Sequence, residues 1–373
     1  MKNVTTRAVT MAAMLALAGG ALAACSSNDD NGGSGSTDTS TSGGGGGGSA
    51  SGKIALLLPE SKTARYEAQD KPLFTAKVKE LAPDAEVLYS NADQDASKQQ
   101  QQAEAALSQG ADVLVLDPVD GKAAASIVNE AKQQNVPVVA YDRLIEGGQI
   151  AYYVTFDNEQ VGVEQGKALV AALQKSDPSK KGGIIMINGS PTDNNATLFK
   201  KGAHSVLDSS GYKILAEYDT PDWSPDKAQS WMEGQVTKFT GQISGVYAAN
   251  DGTAGGAIAA MKGANVSPWP PVTGQDAELA AVQRIVAGQQ YMTIYKSYKQ
   301  EAEDAAQAAV TLLKGDTPSG KSDPTDGVPT TLLPVQAVTV DKIKDSIVAD
   351  GFYTVDQICT SDYASACAKA GLK

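Results

Sequence analysis

The residues best suited to chemistry in this chain are carboxylates, amides and cations that come directly after short apolar segments. Asp142 and Arg143, for example, follow the segment Val138–Tyr141. If such segments are parallel strands, their carboxyl ends meet at one edge of a sheet, where α/β sheets bind their ligands. The candidate binding residues chosen on this basis are Arg65, Tyr66, Asp117, Asp142, Arg143, Asn194, Asn195, Trp223, Asn250, Asp276 and Lys296.

This set of side chains is suited to a sugar. A sugar hydroxyl is a donor and an acceptor at once, so it can donate to a carboxylate and accept from arginine, lysine or an asparagine amide. The apolar C–H face of a pyranose can stack on an aromatic ring, for which Tyr66 and Trp223 are the candidates. The pattern therefore predicts a monosaccharide site without catalytic residues.

Each candidate also has a structural explanation. Asn250 precedes a predicted helix and can cap it. Asp142 and Arg143 can form a surface ion pair of little energetic value. The argument for a site rests on the whole set, because successive strand ends all carry such groups.

The elements that would position this set alternate along the chain. Apolar segments such as 54–58 and Val113–Leu116 alternate with amphipathic segments such as 68–81. This alternation indicates a parallel sheet with helices on both faces. Because it begins again near Gly162, we predict an α/β fold with two Rossmann-like lobes, each with a parallel sheet, joined by a hinge of several strands.

Cys25 lies between an apolar leader and a polar tract. Lys2 and Arg7 precede the apolar run 8–24, which is typical of an export signal and is short for a membrane span. Small residues directly before a cysteine resemble the bacterial lipoprotein signal, in which the cysteine is lipidated. We therefore expect an extracytoplasmic protein anchored to the cell membrane through Cys25; the alternative is an ordinary secretory signal.

The sequence also predicts where the segments of the chain begin and end. They are an export signal at 1–24, a flexible glycine- and serine-rich tether at 25–52, a first lobe at 53–156 plus 297–330, a second lobe at 157–296 plus 331–358, and a tail at 359–373.

Charge and cysteine content narrow the class of protein further. The net charge is −12, and a chain this acidic is a poor candidate for binding nucleic acid. Cys359 and Cys367 lie eight residues apart near the C-terminus. In an exported protein such a pair predicts a disulfide that closes a small loop.

Several motifs resemble one known family. They are VVAYDR at 138–143, VTFDNE at 154–159, GSPTDNN at 189–195, NDGTAGG at 250–256, GQD at 274–276 and TIYK at 293–296. As a set they resemble the type I periplasmic sugar-binding proteins of ABC importers, and among these the D-xylose binders, over nearly the whole mature domain. Tyr66 departs from the larger aromatic that the family tends to place beside the sugar ring.

The resemblance implies two lobes that close on one sugar and then dock on a membrane permease. It implies that Asp142, Arg143, Asn194 or Asn195, Asn250, Asp276 and Lys296 contact the sugar, and that Arg65, Asp117 and Trp223 complete the walls. D-xylose is the first choice of ligand, ahead of ribose, arabinose, glucose and galactose. We expect a monomer that needs no cofactor and no metal.

Two other functions remain open from the sequence. The same fold can present a sugar to a chemoreceptor or a sensor kinase. A glycoside hydrolase would also place carboxylates around a sugar. Against hydrolysis, the candidate carboxylates lie beside arginine, lysine and asparagine, which should hold them ionised. The one histidine, His204, lies in a predicted helix, and no catalytic motif for a serine hydrolase, a zinc protease or phosphate binding is present.

Overall fold

The computed structural model describes residues 50–320 and 327–373, which belong to one compact unit, Gly48–Lys373. The predicted export signal, Cys25 and nearly all of the predicted tether lie outside the described residues. The sequence predicts a tether up to residue 52, but the first strand already begins at Ser51. The backbone of Ser51 pairs there with Asp84 of the neighbouring strand, so the folded part begins slightly earlier than predicted.

Strands and helices alternate along most of the chain, as the sequence predicts. The strands are β1 (Ser51–Leu58), β2 (Asp84–Asn91), β3 (Val113–Leu116), β4 (Val138–Tyr141), β5 (Tyr152–Phe156), β6 (Gly183–Asn188), β7 (Lys213–Asp219), β8 (Ile243–Ala248), β9 (Met292–Lys296), β10 (Thr330–Leu333) and β11 (Val335–Thr339). The helices are α1 (Lys71–Leu81), α2 (Ala96–Ser108), α3 (Ala125–Gln133), α4 (Asn158–Ser176), α5 (Asn194–Leu207), α6 (Pro225–Lys238), α7 (Asp251–Gly263), α8 (Leu279–Val286), α9 (Tyr298–Leu313), α10 (Val355–Ile358) and α11 (Ala364–Lys369). Short helical turns lie at Tyr66–Asp70, Pro221–Trp223, Val340–Lys342, Lys344–Val348 and Ser361–Tyr363. In the described part of the chain, no helix is both long enough and apolar enough to cross a membrane.

The first sheet is parallel and, within the described residues, has the strand order β10-β5-β4-β3-β1-β2. Its side chains alternate between two faces, as the period of a strand requires. Ile54 and Leu56 point into the core covered by α1 and α9, whereas Ala55 and Leu57 point into the core covered by α2 and α3. Burial on both faces explains the uninterrupted apolar strands. This sheet and these four helices form the first lobe.

The second lobe is built around the parallel strands β7-β6-β8, with an antiparallel pair formed by β9 and β11. The sequence predicts a strand at 272–274, where the structure has one bridge, between Val246 and Val272. A hydrogen bond from Ile294 N–H to the carbonyl of Gly274 links this segment to β9. Helices α4 and α5 cover one face of the lobe and α6 and α7 the other.

The chain passes between the lobes at three places in the described residues: after Phe156, after Lys296 and at Pro334. Strand β10 pairs with β5 as far as Leu333, so the first lobe extends beyond the predicted limit at residue 330. The final residues pack beside α8 in a core that contains Cys359 and Cys367, and these two cysteines form a disulfide.

Two glycines allow α4 and α5 to pack closely. A Cβ on Gly162 or on Gly202 would lie 1.9 or 2.0 Å from a backbone oxygen of the facing helix. This packing places the first residues of both helices side by side, and the Asn158 amide donates to Asn195 Oδ1 at 2.9 Å. The helix pair therefore fixes Asn195 beside the cleft between the lobes.

The two lobes touch each other across the cleft. Gly121 N–H of the first lobe donates to the carbonyl of Thr192 at 3.2 Å. Gln94 Nε2, also of the first lobe, donates to the carbonyl of Asp222 at 3.2 Å. The lobes are thus in a closed arrangement.

Candidate functional site

A buried cavity lies between the lobes, next to the carboxyl ends of their strands. Nine of the eleven predicted binding residues line it, and each of the nine is at most 4 % exposed. Charged side chains this deeply buried require partners, either in the protein or in a ligand. The nine are Arg65, Tyr66, Asp142, Arg143, Asn195, Trp223, Asn250, Asp276 and Lys296.

Arg65 is held by three carboxylates. Its Nε and Nη2 donate to the two oxygens of Asp70 at 2.8 and 2.7 Å. Nη2 also donates to Glu301 at 2.5 Å, and Nη1 donates to Asp142 at 3.2 Å. Because each Nη carries two hydrogens, Nη1 keeps one N–H that can serve a ligand.

Asp142 presents one free oxygen to the cavity. Its backbone is in the left-handed region, with φ at 57°, and its carbonyl accepts from Asn195 Nδ2 at 3.1 Å. Its Oδ2 accepts from Arg65, whereas Oδ1 is buried and has no hydrogen-bond partner in the described residues. Burial raises the pKa of the Asp142 carboxyl. The charges of Arg65, Lys296 and Arg143 lower this pKa by more, so it lies below its ordinary value and Asp142 is an ionised acceptor.

Arg143 joins the two lobes. Its Nε lies 3.1 Å from Asp193 Oδ2 of the second lobe and 3.5 Å from Asp117 Oδ1 of the first. Its Nη2 donates to the hydroxyl of Tyr66 at 3.1 Å. Trp223 Nε1 donates to the same oxygen of Asp193 at 3.0 Å. Asp193 therefore fixes an arginine of one lobe and an aromatic ring of the other.

Trp223 and Phe199 form an aromatic wall of the cavity. Their ring centroids are 6.2 Å apart and the rings meet edge to face. A Cβ on Gly189 would lie only 1.9 Å from the Trp223 ring, so the indole needs the glycine in order to lie against the end of β6. An exposed C–H face of a ligand can pack on such a wall.

Asn250 serves as a helix cap and as part of the cavity wall. Its Oδ1 accepts from the N–H and from the hydroxyl of Thr253, each at 2.9 Å, at the start of α7. The capping explanation from the sequence is therefore correct for the oxygen. The amide nitrogen has no hydrogen-bond partner among the described residues and remains available to a ligand.

Asp276 and Lys296 form the ion pair of the second lobe. Lys296 Nζ lies 3.0 Å from Asp276 Oδ1, and the Tyr298 hydroxyl lies 3.1 Å from the same oxygen. Asp276 has a φ of 97°, which is uncommon for a residue with a side chain. The second carboxylate oxygen, Oδ2, is left for the cavity.

Four residues that the sequence analysis did not select also line the cavity: Thr63, Asp193, Phe199 and Gln275. Asp193 and Gln275 lie inside the recognised motifs, directly beside selected residues, so the motifs themselves contained the signal. Phe199 follows Asn195 by four residues, which places both on one face of α5. Gln275 Oε1 is a second buried acceptor without a partner in the described residues.

Two predicted binding residues do not line the cavity. Asn194 begins α5 and is half-buried, because successive helical residues point in different directions and Asn195 takes the inward position. Asp117 is fully buried beside Arg143, outside the lining set. Burial raises the pKa of Asp117 well above its ordinary value, which is the opposite direction from the one that the sequence analysis expects for the candidate carboxylates.

The remaining free groups of the cavity define the chemistry that it can bind. The free acceptors are oxygens of Asp142, Gln275 and Asp276, and the donors come from Arg65 and the Asn250 amide. The cations are already paired with carboxylates of the protein, so the site favours a neutral ligand with several hydroxyls. Within the described residues, no group of three or more histidine, cysteine or acidic side chains could hold a metal ion.

Comparison with known proteins agrees with this geometry. The sequence matches the periplasmic binding protein domain over residues 54–317. It is 37 % identical over 313 residues to the D-xylose-binding periplasmic protein of Escherichia coli K12. This match covers 82 % of this chain and 92 % of that protein. The D-xylose-binding periplasmic protein of Haemophilus influenzae is 36 % identical with the same coverage. A solved ABC transporter solute-binding protein from Clostridium phytofermentans, with bound β-D-glucose, has a TM-score of 0.75 at 28 % identity, covering 82 % of this chain and 99 % of that one.

The chain therefore belongs to the periplasmic binding protein family. Its members are binding proteins rather than enzymes and work outside the cytoplasm, so this chain is an extracytoplasmic solute-binding protein. The predicted fold of two α/β lobes with a multi-strand hinge is confirmed, and the hydrolase alternative has no support.

Proposed function

We propose that this protein captures a monosaccharide, with D-xylose as the first choice, between its two lobes and delivers it to an ABC importer. Two relatives that cover most of the chain are named as D-xylose binders, and a related solved structure holds β-D-glucose. Both sugars form pyranose rings with equatorial hydroxyls, which one arrangement of donors and acceptors can serve.

The observation that carries the proposal is the pair of buried acceptors in the cavity. Asp142 Oδ1 and Gln275 Oε1 have no partner in the described residues, and a buried polar atom without a hydrogen bond costs roughly 1–3 kcal/mol. Sugar hydroxyls would donate to both oxygens and accept from the free N–H of Arg65 and from the Asn250 amide. The aromatic wall of Trp223 and Phe199 would cover the C–H face of the ring.

The binding set that we propose consists of the nine lining residues selected from the sequence together with Thr63, Asp193, Phe199 and Gln275. Asp117 does not contact the sugar but supports Arg143, whose Nε lies 3.5 Å from it. Asn194 is not part of the set. A sugar held in this way contacts both lobes, so it stabilises their closed arrangement relative to an open one.

A thermal-shift and calorimetry screen tests the proposal. Residues 48–373 are titrated with D-xylose, ribose, arabinose, glucose and galactose. A ligand that binds only the folded state raises the melting temperature, because at a hundred times its Kd it stabilises that state by about 2.7 kcal/mol. We expect the largest shift with D-xylose. If no monosaccharide changes the melting temperature or releases heat, the proposed function is wrong.

We also propose that the protein works as a monomer on a lipid anchor at Cys25, with the following polar tract as tether. The tether would let the folded unit reach a permease while staying at the membrane. Substitution Cys25→Ala is expected to release the protein from the membrane fraction while sugar binding is unchanged. Retention of the variant in that fraction would contradict the anchor.

Uptake of labelled D-xylose by cells lacking this protein tests delivery to an importer. We expect uptake to be lost and to return when the gene is restored. Undiminished uptake, combined with a lost transcriptional or chemotactic response to the sugar, would instead favour the sensor function that the sequence leaves open.

A further inference from the structure

Tyr298 occupies the point at which the lobe crossings converge. It is the first residue of α9, directly after the crossing at Lys296, and it is 1 % exposed. Its ring packs edge to face on Phe156, the last residue of β5 before the first crossing, with centroids 6.4 Å apart. Leu333, just before the third crossing, belongs to the same core. Tyr298 is therefore anchored where the lobes join.

The hydroxyl of Tyr298 reaches Asp276 of the second lobe. It lies 2.7 Å from the carbonyl oxygen of Asp276 and 3.1 Å from Oδ1, so its single hydrogen is shared between the two. The backbone of Asp276 has a φ of 97°, a conformation that persists only when surrounding contacts hold it. The bond from Tyr298 is one such contact, and it also holds Oδ1, the oxygen that pairs with Lys296.

The ring of Tyr298 supports Arg65 of the first lobe. The guanidinium carbon of Arg65 lies 4.0 Å from the centroid of the ring, which is a close cation–π distance. The carboxylates that hold Arg65, those of Asp70, Glu301 and Asp142, accept hydrogen bonds from its guanidinium nitrogens. Tyr298 therefore supports the face of the same group whose Nη1 meets Asp142 at the cavity.

We infer that Tyr298 is a positioning residue, which sets Asp276 of one lobe and Arg65 of the other for the sugar without touching the sugar itself. Tyr298 is not among the residues that line the cavity. Burial raises the pKa of its hydroxyl well above the ordinary value, so Tyr298 stays a neutral donor. This inference rests on the proposed sugar-binding function and extends it to a residue that neither the motifs nor the cavity reveals.

The first test compares Tyr298→Phe with Tyr152→Phe by calorimetric titration with D-xylose. Both substitutions remove one buried hydroxyl that makes a hydrogen bond, because Tyr152 pairs with Thr331 in the first sheet, away from the cavity. Hydrogen bonds to charged groups contribute about 1.5–3 kcal/mol, so we expect Tyr298→Phe to weaken binding roughly 10- to 100-fold. The Tyr152→Phe protein should bind like the wild type. Tyr298→Phe within about twofold of the wild type would overturn the inference.

The second test is a double-mutant cycle with Asp276→Ala, with titrations carried into the tens of millimolar for the weak variants. If Tyr298 acts by positioning Asp276, removing its hydroxyl should change the affinity little once the Asp276 side chain is gone. If Tyr298→Phe lowers the sugar affinity by the same factor in the wild type and in Asp276→Ala, the effect is a general structural one and the inference is overturned. Failure of the wild type to bind any sugar would overturn the proposed function together with this inference, whereas normal binding by Tyr298→Phe would overturn this inference alone.

Discussion

Asp142 and Asp276 present the same arrangement from opposite lobes. Each has a positive φ, and the backbone carbonyl of each accepts a hydrogen bond from a tyrosine hydroxyl, that of Tyr153 at 3.3 Å and that of Tyr298 at 2.7 Å. Each carboxylate gives one oxygen to a cation, Arg65 or Lys296, and leaves the other without a protein partner in the described residues. The cavity is therefore bounded on both sides by an oriented acceptor.

Asp142→Ala is expected to abolish measurable sugar binding while the fold is retained. The substitution removes the free Oδ1, and we expect a loss of roughly 100-fold or more because the sugar hydroxyl loses a charged partner in a buried site. Arg65 keeps Asp70 and Glu301, so the folded state should survive. Calorimetric titration gives the affinity, and the melting temperature without sugar checks the fold. The exposed Asp226→Ala is the control; normal affinity in Asp142→Ala would remove Asp142 from the site.

Asn250→Asp and Asn250→Ala separate the capping role of Asn250 from its binding role. Aspartate can still accept from Thr253 N–H and cap α7, but it has no N–H to donate to a sugar. We expect both variants to lose sugar affinity, whereas only the alanine variant should lose about 1 kcal/mol of stability through the cap. Thermal melts and titrations of the two variants give both quantities. Undiminished affinity in Asn250→Asp would show that the amide does not contact the ligand.

Gly189→Ala is expected to displace the Trp223 ring and so weaken binding. The added Cβ would lie 1.9 Å from rigid ring atoms, which must move. Gly234→Ala is a matched control, because a Cβ there meets no atom within 4 Å and alanine in a helix interior should stabilise by roughly 1 kcal/mol. A sugar titration followed by tryptophan fluorescence reports both the affinity and the environment of the Trp223 ring. An unchanged affinity and spectrum in Gly189→Ala would contradict the packing described for Trp223.

Glu278→Gln is expected to gain stability over the wild type as the pH rises. Burial, and then the charges of Asp251 and Asp276, raise the pKa of Glu278 to about 8. The folded protein therefore keeps a proton that the unfolded chain releases above roughly pH 4.3, so the wild type loses stability between about pH 4 and about pH 8.

Among the described residues, the charged group that acts on Glu278 besides these two carboxylates is Arg284, which lowers its pKa. The hydroxyl of Tyr353, on which Glu278 acts in turn, stays neutral because burial raises its pKa. A backbone N–H of the first lobe, that of Ala64, donates to the Glu278 carboxylate and also lowers the pKa. The melting temperatures of the wild type and of Glu278→Gln, measured across this pH range, give the difference in stability between them. A stability difference that stays constant with pH would show that Glu278 titrates normally.

Removal of the disulfide with Cys359→Ser and Cys367→Ser should destabilise the protein without affecting the site. The cysteines are eight positions apart in the sequence, and closing a loop of this size is worth about 2.5 kcal/mol of unfolded-state entropy. The pair packs beside α8 and does not line the cavity, so sugar affinity should stay unchanged. Denaturant titration and calorimetry measure the two effects. A large loss of affinity would mean that the tail influences the cleft.

The sequence by itself determined the class of fold and most of the cavity wall. Apolar strands without a polar face can only be buried on both sides, which requires helices on both faces and parallel connections. Parallel strands place their carboxyl ends together, so residues such as Asp142 and Asn250 could be selected from their positions after a strand. The family motifs then contained the residues missed beside them, such as Asp193 and Gln275.

The tertiary structure decided which of two adjacent residues faces the cavity and which distant residues support the cavity wall. Adjacent residues on a helix differ in direction by about 100°, so only the packing of α5 on α4 selects Asn195 over Asn194. Arg65 and Glu301 are 236 residues apart, and their contact exists only because α9 returns to the first lobe. Neither periodicity nor local propensity contains that information, since it depends on which elements pack together after three passages of the chain between the lobes.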